Sequence, residues 1–190
     1  MAKINILAIV GSLRRGSINR MLALEAGSIV GSQLEQDFTL LEYDDVPLMN
    51  QDAEYPPPDS VKRVRDIVKS ADGIWFFSPE YNHSIPGVLK NLIDWLSRPI
   101  SDNEPQVLAH KPAAVSGISP GMSGAGIAQD HLVTLLSFLN MRIMNSPRLL
   151  IPNAKTQMTA DGQLALTNSL PFLEKQALDF VRFISDSIPK

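Results

Sequence analysis

Short apolar runs alternate with amphipathic stretches along the whole chain, and this alternation constrains the fold more than any other feature. Ile4–Val10 is apolar, largely β-branched and closed by Gly11, the pattern of a strand buried on both faces. Ser17–Val30 follows as a helix with Ser17 at its cap. The weaker strand Phe38–Tyr43 comes next, then a loop over Asp44–Pro58. That loop ends in three prolines, which forbid helix and favour extended backbone. Asp59 caps a helix running to Ser70, and Gly73–Ser78 is a third strand. Pro86–Ser97 is a helix with Pro86 in its first turn. Pro112–Ile118 is a fourth strand and Gly124–Asn140 a helix. A short fifth strand falls within Met141–Ile151, and Pro171–Ser187 closes the chain as an amphipathic helix. This order predicts a parallel sheet with helices on both faces and right-handed connections.

In such sheets a ligand sits outside the carboxyl ends of the strands, where the strand order reverses. The segments after strands one, three and four, GSLRRGSIN, SPEYNHSIPG and SGISPGMSG, should therefore line one pocket. They are also the most polar and the most glycine- or proline-punctuated parts of the chain.

The first segment is close to a phosphate-binding P-loop: Gly11, four residues, Gly16, then Ser17. The lysine that would reach the outer phosphates of a nucleoside triphosphate is replaced by Ser17. A dinucleotide fingerprint is also absent, because Ser12 and Leu13 follow Gly11. What remains suits a terminal phosphate monoester. Ser12, Ser17 and Asn19 offer neutral hydrogen bonds, Arg14 or Arg15 supplies charge, and the helix N-terminus points its N–H groups the same way. The helix terminus contributes only about 0.3–1 kcal/mol. Charge-assisted bonds at about 1.5–3 kcal/mol each outweigh it. The alternative is a capped helix with two solvated arginines.

The second segment holds Glu80, Tyr81, Asn82, His83 and Ser84 between Pro79 and Pro86. A tight turn of this kind exposes backbone N–H and C=O groups to the edge of a flat heteroaromatic ring, and Tyr81 offers a packing surface. His83, with no carboxylate partner at an obvious spacing, reads as a loop histidine, Trp95 as core, and Asp94 as a helix-surface or pairing residue. In the third segment, GISPG matches the nucleophile elbow G-x-S-x-G. Pro120, following Ser119, lacks the N–H an oxyanion hole needs, and the only later histidine is His131 on the next helix. A backbone turn over Ser116–Gly121 that meets a ligand is the better reading. His83, His110 and His131 lack metal-ligand spacing.

Bulk properties narrow the class. The 190 residues favour one domain, residues 1–190. With 17 basic and 20 acidic residues the net charge is −3, which argues against nucleic acid as a partner. No cysteine is present, so disulfides and thiol chemistry are excluded. The N-terminal apolar run is too short for a signal segment or a membrane span. A cytoplasmic protein with no membrane partner is expected.

GSLRRGSIN followed by PEYNHSIPGVLKNLIDWLSRP closely resembles the NADPH-dependent FMN reductase family, which includes bacterial quinone, chromate and azo-dye reductases. Motifs spread from Gly11 to about Met141. The resemblance implies a flavodoxin-like three-layer α/β sandwich, a five-stranded parallel sheet in the order 2-1-3-4-5, and bound FMN. By motif matching, Ser12, Arg14, Ser17, Ile18 and Asn19 would hold the FMN phosphate. Pro79, Glu80, Tyr81 and Asn82 would face the isoalloxazine ring, and Gly117, Ile118 and Ser119 its other flank. FMN carries a single terminal phosphate, as a lysine-less, hydroxyl-rich loop requires. The implied function is an oxidoreductase passing electrons from NADPH or NADH through FMN to a small acceptor: a quinone, an azo dye, chromate or free flavin. No essential acid–base side chain is expected, because the cofactor carries the chemistry. The alternative is a non-enzymatic flavodoxin-type carrier, although a net charge of −3 is modest for one. The family also implies a homodimer with the flavin near the subunit interface. Relatives that form homotetramers carry an arginine and a tyrosine in the helix after the third segment. Ile127 and Asp130 stand at those places here.

Overall fold

The structure, a computed structural model, describes residues 3–101 and 103–187. Its strands are β1 (Asn5–Val10), β2 (Asp37–Leu40), β3 (Gly73–Phe77), β4 (Pro112–Ile118), β5 (Arg142–Ile143) and β6 (Leu149–Ile151). Its α-helices are α1 (Ile18–Ser32), α2 (Asp59–Ser70), α3 (Gly87–Leu96), α4 (Gly126–Phe138) and α5 (Leu170–Ser185). All strand pairs are parallel, in the order β2-β1-β3-β4-β5, the flavodoxin-like order.

The sheet has six strands, not the expected five, because the fifth is broken. β5 pairs with Pro112–Ala113 at the start of β4, and β6 pairs with Ser116–Ile118 at its end. The gap between them holds Pro147, which has no N–H to give the ladder. Other boundaries shift by a few residues. β2 ends at Leu40 rather than Tyr43, although the Leu41 N–H still bonds the Ala8 carbonyl. Asp59 is the first residue of α2 rather than its cap, and makes no capping bond. Pro86 stands just before α3, and its carbonyl accepts from the Lys90 N–H at 3.0 Å.

Side chains of β1 and β3 alternate between two cores. Ile6, Ala8, Val10, Trp75 and Phe77 pack with Leu22 and Ala26 of α1 and Phe180 of α5. Leu7, Ile9, Ile74 and Phe76 pack with Val64 of α2, Leu89 and Leu92 of α3, and Leu132 of α4. A fully buried Leu, Ile or Phe contributes about 1.5–3 kcal/mol, so both faces of the sheet are firmly covered. The first core also holds a satisfied polar chain: Trp75 Nε1 donates to Ser116 Oγ, which donates to Gln176 Oε1, each at 2.7 Å. These layers fix the carboxyl ends of β1, β3 and β4 side by side.

Candidate functional site

The segments that leave β1, β3 and β4 enclose one cleft of about 130 Å3. Ser12, Arg14, Ser17, Ile18 and Asn19 form one end, Pro79, Glu80 and Tyr81 one wall, and Ile118 and Ser119 the other. Pro120, absent from the motif match, lines it as well. Asn82 and Gly117 do not.

The end expected to take a phosphate is built by the start of α1. Ser17, in extended backbone, caps that helix by accepting from the Arg20 N–H at 3.4 Å. This leaves the N–H groups of Ile18 and Asn19 without intrahelical acceptors and the Ser17 hydroxyl hydrogen unspent. Ser12, nearly buried, accepts from the Arg14 N–H at 3.4 Å, and its own proton remains to donate. Asn19 is differently used than its residue type suggests. Its amide is buried, with Nδ2 donating to the Ile118 carbonyl at 3.0 Å and Oδ1 accepting from the Ile118 N–H at 3.1 Å. It thus ties the first segment to the third, and a single Nδ2 hydrogen is left over.

The second segment is a two-residue hairpin. Tyr81 and Ser84 exchange both backbone bonds, at 2.9 and 3.0 Å, and Asn82 and His83 between them are left-handed with φ of 51° and 58°. Both central residues at positive φ define a type I′ turn, which asparagine accepts readily and histidine less so. The turn lifts Asn82 out to solvent, while Tyr81 stays half exposed at the cleft.

Glu80 spends its carboxylate on the start of α4. Oε2 accepts from the Ala128 N–H at 3.2 Å, and Oε1 accepts from the Ser123 hydroxyl at 3.3 Å. The residue before α4, Ala125, is left-handed and gives no side-chain cap, so Glu80 caps this helix from another loop and complements its dipole. His83 does have a carboxylate near it: Nδ1 lies 3.5 Å from Glu80 Oε1, contrary to the sequence expectation. Ser84 Oγ meets His131 Nδ1 at 3.1 Å, a second link between this turn and α4.

Gly117 lies behind the cleft, where an added Cβ would come within 2.7 Å of the Ser78 carbonyl and 2.8 Å of the Ala125 Cβ. Only glycine lets β4 pass this close. Ser119 donates its N–H to the Ile151 carbonyl and its hydroxyl to the Gly121 carbonyl at 3.3 Å. With His131 bonded to Ser84 instead, the GISPG motif builds no nucleophile. Trp95 is fully buried, its Nε1 donating to the Pro47 carbonyl at 2.8 Å, and Asp94 pairs with Lys90 at 2.7 Å.

The cleft presents unspent hydroxyls, helix N–H groups and Arg14 at one end, and a slot between two fixed backbone turns at the other. A parallel sheet in this order with a phosphate cleft at its switch point defines a flavodoxin-like nucleotide-binding protein. Residues 4–156 match the model of the NADPH-dependent FMN reductase family, and the chain belongs to that family. It is 33% identical to a 2-hydroxy-1,4-benzoquinone reductase of a Burkholderia species, over 96% of this chain and 97% of the relative. It is 38% identical to an NAD(P)H-dependent FMN reductase of Pseudomonas aeruginosa, over 91% of each. Among solved structures, the flavoenzyme NAD(P)H:(acceptor) oxidoreductase FerB of Paracoccus denitrificans superimposes with a TM-score of 0.85 at 33% identity, covering 97% of this chain and 98% of that one.

Proposed function

We propose that the chain is an NAD(P)H-dependent, FMN-containing oxidoreductase that passes electrons to a small acceptor: a quinone, an azo dye, chromate or free flavin. The observation that carries this reading is the convergence of three segments, distant in sequence, on one cleft with a phosphate-suited end. FMN held there would supply the redox chemistry that links a reduced nicotinamide to the acceptor. The chain's residues hold and orient. Ser12, Arg14, Ser17 and the remaining N–H of Asn19 bind the phosphate, with the N–H groups of Ile18 and Asn19 behind them. The backbone from Pro79 to Tyr81 faces the ring edge, Tyr81 covers the slot, and Ile118 and Ser119 set its opposite flank. No side chain is assigned a proton transfer.

We further place the protein in the cytoplasm, in keeping with its lack of cysteine. Among the described residues no helix is long and apolar enough to cross a membrane. A homodimer is supported by Leu13, Leu48 and Val88, exposed apolar residues that line one groove beside the phosphate loop. Sedimentation equilibrium at micromolar concentration should give twice the 20.9 kDa chain mass; a monomer would remove the dimer. The enzyme reading is tested by mixing FMN-loaded protein with NADPH or NADH and a quinone. Oxidation of neither nucleotide sinks it.

A further inference from the structure

Where β1 gives way to the phosphate loop, its ladder to β2 ends on a side chain. The register sets Ala8 against Leu40, and the Leu41 N–H bonds the Ala8 carbonyl at 2.9 Å. Bonding groups alternate along a strand, so one further step would hand the Val10 carbonyl to the Tyr43 N–H. β2 has already stopped at Leu40, and the Tyr43 hydroxyl takes the Val10 carbonyl instead, at 2.6 Å. A whole side chain stands where a ladder bond would have closed the two strands. A cleft of about 280 Å3 opens there, with Val10 and Tyr43 in its lining. Tyr43 is itself held firmly. It is buried, and its ring belongs to the core of Leu7, Ile9 and Leu89. On either side of it, Glu42 is bound by Arg20 of α1, and Arg63 of α2 donates to the Glu42 carbonyl at 3.0 Å and pairs with Asp45 at 2.6 Å. Burial pushes the phenol above its ordinary value of 10.0, so the hydroxyl stays a donor at working pH.

The carbonyl that Tyr43 holds is the last of β1. On the other side of the same exit, the Gly11 N–H donates to the Phe77 carbonyl at 2.9 Å. Beyond it the loop has little support of its own. From Ser12 to Gly16, the only N–H with an acceptor among the described residues is that of Arg14, bonded to Ser12 Oγ at 3.4 Å. The loop is next fixed where the Ser17 N–H meets the Arg14 carbonyl at 3.0 Å. Its direction is therefore set at Val10 and Gly11. We propose that Tyr43 is a positioning residue: by pinning the Val10 carbonyl it sets the angle at which the loop leaves the sheet, and with it the affinity of the cleft for the phosphate of a flavin. This rests on the reading of that cleft as an FMN site. Tyr43 is not in the lining of the FMN cleft and acts through the backbone. A binding constellation has to be held to within about 0.5 Å, which leaves its first residues little room to swing.

Tyr43→Phe tests the assignment, because it keeps the buried ring and removes only the hydroxyl. In titrations of apo-protein, the Kd for FMN should rise about tenfold. The Kd for riboflavin, which lacks the phosphate, should move less than about twofold. Equal losses for the two flavins overturn the proposal, as does no loss for either. Ile74→Val trims the same core from β3, away from the loop. It should lower the urea midpoint and leave the ratio of the two affinities unchanged; a matching fall in the ratio would reduce the Tyr43 effect to general loosening and overturn the proposal. Amide hydrogen exchange reads the brace without any flavin. In apo Tyr43→Phe the Gly11 amide should exchange about tenfold faster or more, with the Phe76 amide in the middle of β3 unchanged. Unchanged protection of Gly11 overturns the brace. If wild type binds FMN no more tightly than riboflavin, the phosphate reading has failed and the proposal falls with it. Fast exchange at Gly11 in the variant then shows that the reading, and not the brace, was wrong.

Discussion

Replacing Asn19 by alanine separates two roles that this residue can play. Its amide spans 99 residues of sequence to hold both backbone groups of Ile118, at 3.0 and 3.1 Å, in a fully buried setting. Alanine removes both bonds and strands a buried N–H and a buried carbonyl. Each unsatisfied group costs about 1–3 kcal/mol, so the substitution should destabilise the protein by about 2–6 kcal/mol. With a urea slope of roughly 2 kcal/mol/M, the unfolding midpoint should drop by about 1–3 M. The same variant discriminates brace from ligand. If Asn19 acts chiefly by fixing the two cleft walls, titration of apo-protein should show FMN and riboflavin losing affinity together. If it acts only as a phosphate donor, FMN alone should weaken. A stability change below about 0.5 kcal/mol together with unchanged riboflavin binding would refute the brace.

Glu80→Ala should cost about 1–2 kcal/mol in urea unfolding, the value of a lost helix cap, and Glu80→Gln, which keeps one acceptor for the Ala128 N–H, markedly less; equal losses would show that the cap does not matter. Gly117→Ala should destabilise by about 3 kcal/mol, the upper range for overpacking, because the Ser78 carbonyl and Ala125 cannot retreat, and it should lower the FMN content on purification. Full stability there would mean the close approach is not real. Arg98 holds the nearly buried Glu54 carboxyl below its ordinary value of 4.5 through a 2.8 Å bond. A depressed carboxyl contributes stability above its unfolded pKa and loses it as the pH falls through its folded one. Glu54→Gln should therefore be less stable than wild type at pH 7, with the difference shrinking below about pH 4.5. A gap unchanged at pH 3 would remove the ion pair as its cause.

The fold was readable because buried parallel strands write themselves as unbroken apolar runs, as in Ile4–Val10 and Gly73–Ser78, and because the switch-point rule converts strand ends into a site. The residues lining the cleft were readable for the same reason. What each side chain does there was not. Glu80 also caps α4, accepting from the Ala128 N–H 48 residues on, which its local sequence does not announce. Asn19 also holds both backbone groups of Ile118, a role its own loop does not reveal. Both partners are tertiary, and no local spacing announces them. His83 is a milder case: Glu80 lies three positions before it, but only the tight hairpin brings the imidazole and the carboxylate together. The break in the last strand had a local sign, Pro147, that acts only once both halves are seen to pair with β4.

The Asn19–Ile118 brace also orders events during synthesis. The first phosphate-loop residues leave the ribosome early, while their cleft partner is encoded 99 residues later. At about 5–20 residues per second that interval lasts roughly 5–20 s. Through it, β1 and α1 exist without the opposite wall of the cleft. A nascent chain therefore lacks the closed cleft until β4 has emerged and docked beside β3.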